Sequence, residues 1–247
     1  MSETPILAIE TSGLAGSVAL GDMTCQRVSR SLSGDRRHTS ELLPVMRDVL
    51  AEAGMRLADV GVFAFSVGPG SFTGLRVAAT VARMVQFTVG CPVVAVPTLE
   101  VIAHNAPAEA TPRILALLDA RRGQLYAALF ERNAAGDLHE VRSAGVYEPA
   151  PLLADIPSPF CIIGPGIEPH HAACAASGGR ILDPATWTPH AEGVLCVARR
   201  YIAAERFCAP EEIRPCYLRP PECEEVYEQR RAEARRRRAA RQSPPGP

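Results

Sequence analysis

The chain has 247 residues, 47% hydrophobic and 21% charged, with a formal net charge of −1, the balance of a soluble globular protein long enough for one large domain or two small ones. All 26 basic residues are arginines, which excludes a Walker lysine, a Schiff-base lysine and a Ser-x-x-Lys nucleophile. Residues 230–247 carry net +6 and the rest −7, so the acidic body is a poor lone binder of nucleic acid.

The eight cysteines, at 25, 91, 161, 174, 196, 208, 216 and 223, include no C-x-x-C. Without zinc-finger spacing, and in a chain that needs no disulfide framework, they read as reduced, small buried hydrophobes. The N-terminus lacks the basic start of a signal peptide, and Arg76, Arg83, Pro92 and Pro97 interrupt the best membrane-spanning candidate. A cytoplasmic protein with no membrane contact is expected.

In chain order, residues 6–10 (ILAIE) form a buried strand ending in an acid, a turn follows at 11–16, and 17–20 return. A third strand at 25–31 completes an antiparallel meander. The run His-Thr-Ser-Glu-Leu-Leu-Pro at 38–44 starts a helix with its proline in or near the first turn. Leu42, Val45, Met46, Val49, Leu50 and Ala53 give it one apolar stripe, ended by Gly54. A strand at 60–65 leads into Gly68-Pro69-Gly70-Ser71-Phe72-Thr73-Gly74 and a second helix at 75–89. A strand-to-helix glycine turn aims free amides at one point, but this spacing matches neither G-x-G-x-x-G nor the P-loop. The second helix is apolar nearly all round, so the face turned from the sheet needs a cover from this chain or from a partner.

Residues 93–96 are a buried strand, 97–104 begin a helix, and 106–112 read as a linker. Then the opening pattern returns. Residues 114–119 are a strand ending in an acid, 120–123 turn it, 124–130 return, and 138–147 make a third strand. Cys161-Ile162-Ile163-Gly164-Pro165-Gly166 echoes Ser66-Val67-Gly68-Pro69-Gly70. The order strand, acid, turn, strand, G-P-G therefore occurs twice, which predicts a duplicated α/β chain. A helix at 191–207 and an extended, proline-stopped stretch at 211–221 follow, and 222–247 is a charged, helix-capable tail that frays out.

Glu10 and Asp119 end the first strand of each half. Either the two face each other and hold a metal–nucleotide, with Thr11, Ser12, Gly68 and Gly70 lining a phosphate pocket, or each acid caps its own turn. The six histidines form no H-E-x-x-H or H-x-x-x-H, and no G-x-S-x-G elbow is present.

Five stretches occur in one order: 6–12, 38–44, 67–76 (VGPGSFTGLR), 97–99 and 119–126 (DARRGQLY). Together they resemble the TsaB family of bacterial tRNA threonylcarbamoyladenosine biosynthesis proteins, strongly over about residues 4–131 and more thinly to about 220. The resemblance implies the duplicated actin/sugar-kinase/Hsp70-like (ribonuclease H-like) fold, with two lobes, each a mixed sheet opened by a meander and covered by helices. It implies an N-terminal lobe at 1–105 with partner-binding helices, a C-terminal lobe at 106–221 and the tail at 222–247.

It also implies a role: a non-catalytic subunit that supports a TsaD-like transferase together with a TsaE-like ATPase. That complex forms N6-threonylcarbamoyladenosine next to the anticodon in tRNAs reading codons that begin with A. TsaD-type relatives carry a His-x-x-x-His metal pair after the strand corresponding to 93–96, where this chain has Thr98 and Ile102. Isoleucine has no donor atom and threonine only a weak hydroxyl, so no catalytic residue, metal or cofactor is expected. Leu42, Val45, Met46, Val49, Leu50, Leu75, Ala78, Ala79, Ala82 and Val85 are the expected partner interface. A homodimer through the same helices is a further expectation, and tRNA is reached only through the complex. The alternatives are an ATP-binding transferase or kinase of the same superfamily, with its nucleotide between Glu10 and Asp119, or a metal-dependent glycoprotease-like peptidase.

Overall fold

The computed structural model describes residues 4–33, 38–220 and 231. They fall into two units, Met1–Cys216 and Tyr217–Pro247; the expected tail at 222–247 lies, Arg231 apart, outside the described residues.

The first unit opens with β1 (Ile6–Glu10), β2 (Ser17–Gly21) and β3 (Gln26–Ser31), the predicted meander. Next come α1 (His38–Glu52), β4 (Val62–Gly68), α2 (Phe72–Val89), β5 (Val93–Pro97) and α3 (Thr98–His104). The second half repeats the plan with β6 (Arg113–Asp119), β7 (Leu125–Arg132), β8 (Leu138–Tyr147), α4 (Pro149–Ala154), β9 (Phe160–Ile163), α5 (His171–Ala176) and β10 (Arg180–Ile181). The last regular helix is α6 (Ala191–Ala203).

Two five-stranded sheets result, ordered β3-β2-β1-β4-β5 and β10-β9-β6-β7-β8. Read from opposite ends the orders are identical. In each, the first strand pairs antiparallel with the second and parallel with the fourth. The fourth strand of each also pairs parallel with the fifth. The duplication expected from the repeated motif is therefore a duplication of topology, and the fold is the two-lobed actin/sugar-kinase/Hsp70-like one. The G-P-G echoes mark equivalent corners: Gly68 and Gly164 have φ of +120° and +116°, a region that only glycine enters without strain.

The helices do not keep to the halves. α1 and α2 cover one face of the first sheet, where Leu42, Met46, Val49, Ala78, Ala82 and Val85 join Leu7, Ile9, Phe63 and Phe65 in one core. The other face is covered by α6, through Val194, Leu195 and Ala198 against Ile6, Ala8, Ala64 and Val94. Conversely α3, from the first half, packs Leu99, Ile102 and Ala103 on Ile114, Ala116 and Phe130 of the second sheet. Leu152 and Leu153 of α4 and Cys174 of α5 fill that sheet's far side.

α1 begins at His38, where the sequence places a helix start, with Pro44 in its second turn on the exposed face. Several other boundaries differ from expectation, β4 running Val62–Gly68 rather than 60–65. α2 begins at Phe72, because the Ser71 hydroxyl caps the Gly74 amide at 3.3 Å and brings the glycine loop into the helix start. α6 ends at Ala203 rather than 207, and Glu205 just beyond it adopts φ of +53°. Beyond that point, residues 207–216 cross the first lobe. Cys208 donates its amide to Val93 at 2.8 Å, Ile213 is fully buried, and Cys216 donates to Val67 at 2.8 Å. Among the described residues no helix is long and apolar enough to cross a membrane.

Candidate functional site

β1 and β4 run parallel, so the turn after Glu10 and the glycine loop after Gly68 lie at the same end of the sheet, where ligands of open α/β sheets bind. Glu10 is fully buried. One carboxylate oxygen accepts the Ser12 amide and the Ser12 hydroxyl, each at 2.5 Å, and the other accepts the Ser66 hydroxyl. Burial pushes the Glu10 carboxyl above its ordinary value of 4.5, opposed by these donors and by the field of His190. The Thr11 hydroxyl donates to the Gly74 carbonyl at 2.8 Å and the Ser71 amide to the Ser12 carbonyl at 2.7 Å.

The glycine loop therefore closes on its own lobe. A Cβ on Gly70 would stand 2.5 Å from the Ser12 oxygen, and one on Gly74 only 1.8 Å from the Thr11 oxygen. These glycines allow backbone to meet backbone, with the polar groups spent on each other. Gly68 faces elsewhere, its α-carbon turned toward the Cys216 carbonyl.

Of the six expected cleft residues, Glu10, Thr11, Ser12 and Gly70 come together. Asp119 keeps to its own hairpin, where it accepts the Arg121 amide at 2.8 Å and pairs with the Arg121 guanidinium at 3.4 Å. Each acid thus accepts an amide of the turn that follows it in its own lobe.

The two positions of the transferase-type metal pair do not fit a metal. Ile102 is fully buried among Ile114, Ala116 and Phe130, with no donor atom to offer. Thr98 is also fully buried. Among the described residues, no three His, Cys, Asp or Glu side chains cluster with the geometry of a metal site.

The residues of the expected partner interface lie mostly inside this chain. Leu42, Met46, Val49, Leu50, Leu75, Ala78, Ala79, Ala82 and Val85 are all buried in this chain, and Val45 is half-buried against the same core. A stripe at three- and four-residue steps is what the lobe's own sheet requires, so these residues are spent on folding. The exposed side of α2 carries Phe72, Arg76, Thr80, Met84 and Phe87 at helical spacing. Phe87 is 92% exposed, Met84 39% and Phe72 36%, and Leu43 adds 46% on α1. The Arg76 guanidinium lies 3.9 Å from the centre of the Phe72 ring, holding part of this surface in place.

A second buried polar group went unread in the sequence. Glu100 of α3 is 6% exposed; it accepts the Arg200 guanidinium on one oxygen and the Tyr201 hydroxyl, at 2.7 Å, on the other. The cluster borders a cavity of about 510 Å³, beside Pro69, Leu99, Phe130 and Leu138. Its members are 100 residues apart, so no local spacing signals it.

Comparison with known proteins fixes the family. Residues 32–155 match the family model for TsaD, described as tRNA N6-adenosine threonylcarbamoyltransferase. The chain is 31% identical over 218 residues to the tRNA threonylcarbamoyladenosine biosynthesis protein TsaB of Escherichia coli strain K12, covering 87% of this chain and 94% of that one. The Haemophilus influenzae TsaB is 35% identical over 130 residues, about half of each chain (51% and 53%). A crystal structure from Pseudomonas aeruginosa, of a protein with similarity to the peptidase YeaZ, superposes with a TM-score of 0.76 at 32% identity, over 89% of this chain and 100% of that one. This chain belongs to the TsaB family of tRNA threonylcarbamoyladenosine biosynthesis proteins.

Proposed function

We propose that the chain serves tRNA threonylcarbamoyladenosine formation as a non-catalytic subunit, which binds a TsaD-type transferase through the exposed face of α1 and α2. The observation that carries the reading is the state of the places where a catalytic relative would do chemistry. Ile102 is core, Glu10 has both oxygens engaged by Ser12 and Ser66, and the glycine loop is closed by backbone. A metal-dependent peptidase reaction has no ligand set to run on at those positions.

Partner choice is supported by kinship: the chain matches the transferase family model across α1, α2 and α3, so a transferase-type partner would carry the same pair of helices. Two related helix faces can then meet in a pseudo-two-fold bundle, as in an isologous contact. Phe87, flanked by Met84 and Thr88, is a large aromatic that is 92% exposed, the residue type that dominates interface energetics.

The test is to mix the chain with the TsaD-type transferase of its own organism and measure mass in solution by light scattering. A stoichiometric complex at micromolar concentration, weakened by Phe87→Glu, supports the reading. Absence of any complex, or tRNA modification by this chain alone, overturns it.

A further inference from the structure

α3 belongs to the core of the second sheet and α6 to that of the first, yet the two helices touch. They cross so closely at Gly193 that a Cβ there would stand 2.9 Å from a Val101 methyl. Asn105, just after α3, donates to the carbonyls of Thr186 and Thr188 at 3.1 and 2.9 Å on the approach to α6. At the other end of the crossing the seam is not filled by apolar side chains: the cavity of about 510 Å³ opens there. What spans it is polar. Arg200, on the helix of the first lobe, donates to Glu100 on the helix of the second and, at 2.8 Å, to the Leu138 carbonyl of β8. Tyr201 holds the remaining Glu100 oxygen, and the Arg206 guanidinium lies 3.9 Å from the centre of the Tyr201 ring.

We infer that Glu100, Arg200 and Tyr201 form a latch that fixes the two lobes at one angle. Two-lobed folds hinge when the lobes share few contacts. Here a single guanidinium on a helix of the first lobe binds both a helix and a strand of the second, and the carboxylate it meets is 8% exposed against 35% for the arginine, so salt screens the pair only in part. A partly buried ion pair is weak evidence of stability but suited to fixing one arrangement among several of similar energy. The chain then acts as a rigid platform, with the α1–α2 face held in set relation to the second lobe. This inference does not depend on which partner that face binds.

The test removes all three polar partners at once. Glu100→Leu, Arg200→Met and Tyr201→Phe together keep the volume and leave no unpaired side-chain charge. Backbone amide exchange and small-angle scattering are then compared with wild type. The latch predicts exchange at least about tenfold faster in α3, the last turn of α6 and residues 138–140, with β1 and β4 unchanged. It also predicts a scattering profile broadened by lobe opening. Ile213→Ala, which weakens the first lobe's core away from the seam, serves as the control. Unchanged exchange and scattering in the triple variant would overturn the latch. So would a uniform rise across both sheets, or the same seam-limited pattern in the control.

Discussion

The Ser71 amide donates to the Ser12 carbonyl at 2.7 Å, which makes the glycine loop a lid on its own lobe's first turn. The same glycines that could cradle an anion here bring two backbone segments into contact. At that corner the Ser12 and Ser66 hydroxyls donate to Glu10, Thr11 donates to the Gly74 carbonyl, and the Ser71 hydroxyl accepts the Gly74 amide.

Gly74→Ala is expected to be among the most damaging single substitutions in the chain. Its Cβ would lie 1.8 Å from the Thr11 oxygen, a backbone atom that cannot move without displacing β1. Overpacking of this kind costs about 3 kcal/mol or more. Denaturant titration should show a lost or strongly shifted transition, whereas Gly54→Ala, with open space around it but φ of +67°, should cost only about 1 kcal/mol.

Glu10 makes stability fall as pH rises. Its folded pKa stands above 4.5, so between those two values the folded chain holds a proton that the unfolded chain has released. Stability therefore declines as pH rises from about 4.5 through the folded pKa and is flat on either side. Glu10→Gln, which keeps an acceptor for Ser12 and offers its amide to the Ser66 hydroxyl, is expected to exceed wild type at pH 8 and to match it below pH 4. Melting curves at the two pH values decide; a Gln variant less stable at pH 8 would show that the charged form is the favoured one.

Phe87→Glu and Met46→Asp should separate cleanly. Phe87 is 92% exposed, so its replacement leaves the melting temperature within a degree or two of wild type while weakening partner binding by about 2 kcal/mol, roughly 30-fold. Met46 is 3% exposed in the first lobe's core, so an aspartate there unfolds the lobe whether or not a partner is present. Calorimetric titration and a thermal melt on each variant check both halves of the prediction.

Residues 207–216 should behave as part of the first lobe despite their distance in sequence. Ile213 is fully buried with α2 and its sheet, and Arg83 of α2 donates to the Ile213 carbonyl at 2.7 Å. Ile213→Ala is expected to cost about 2–4 kcal/mol, read as a lower denaturant midpoint with an unchanged slope.

The repeat was legible because each half spells the same local instructions: an apolar strand, an acid that accepts the next turn's amide, a return strand and a glycine corner. Those instructions are carried by neighbours, as Ser12 on Glu10 and Arg121 on Asp119 show. The orientation of α2 was not legible. Nearly every position of that helix is apolar, and only tertiary packing decides that Ala78, Ala82 and Val85 face the sheet while Phe87 faces outward. Periodicity finds the face that a lobe needs for itself; the exposed face of α2 instead sets Phe72, Met84 and Phe87 among Arg76 and Thr80. The Glu100 cluster was illegible for a third reason, since an acid in the first turn of a helix reads as dipole compensation until Arg200 and Tyr201 arrive from the far end of the chain.

The most direct test of the account is tRNA threonylcarbamoylation reconstituted from purified TsaD-type transferase, TsaE-type ATPase and this chain. The account predicts product only when this chain is present, product reduced with Phe87→Glu, and none from this chain without the transferase. Product formed without this chain, or undiminished by Phe87→Glu, would contradict it.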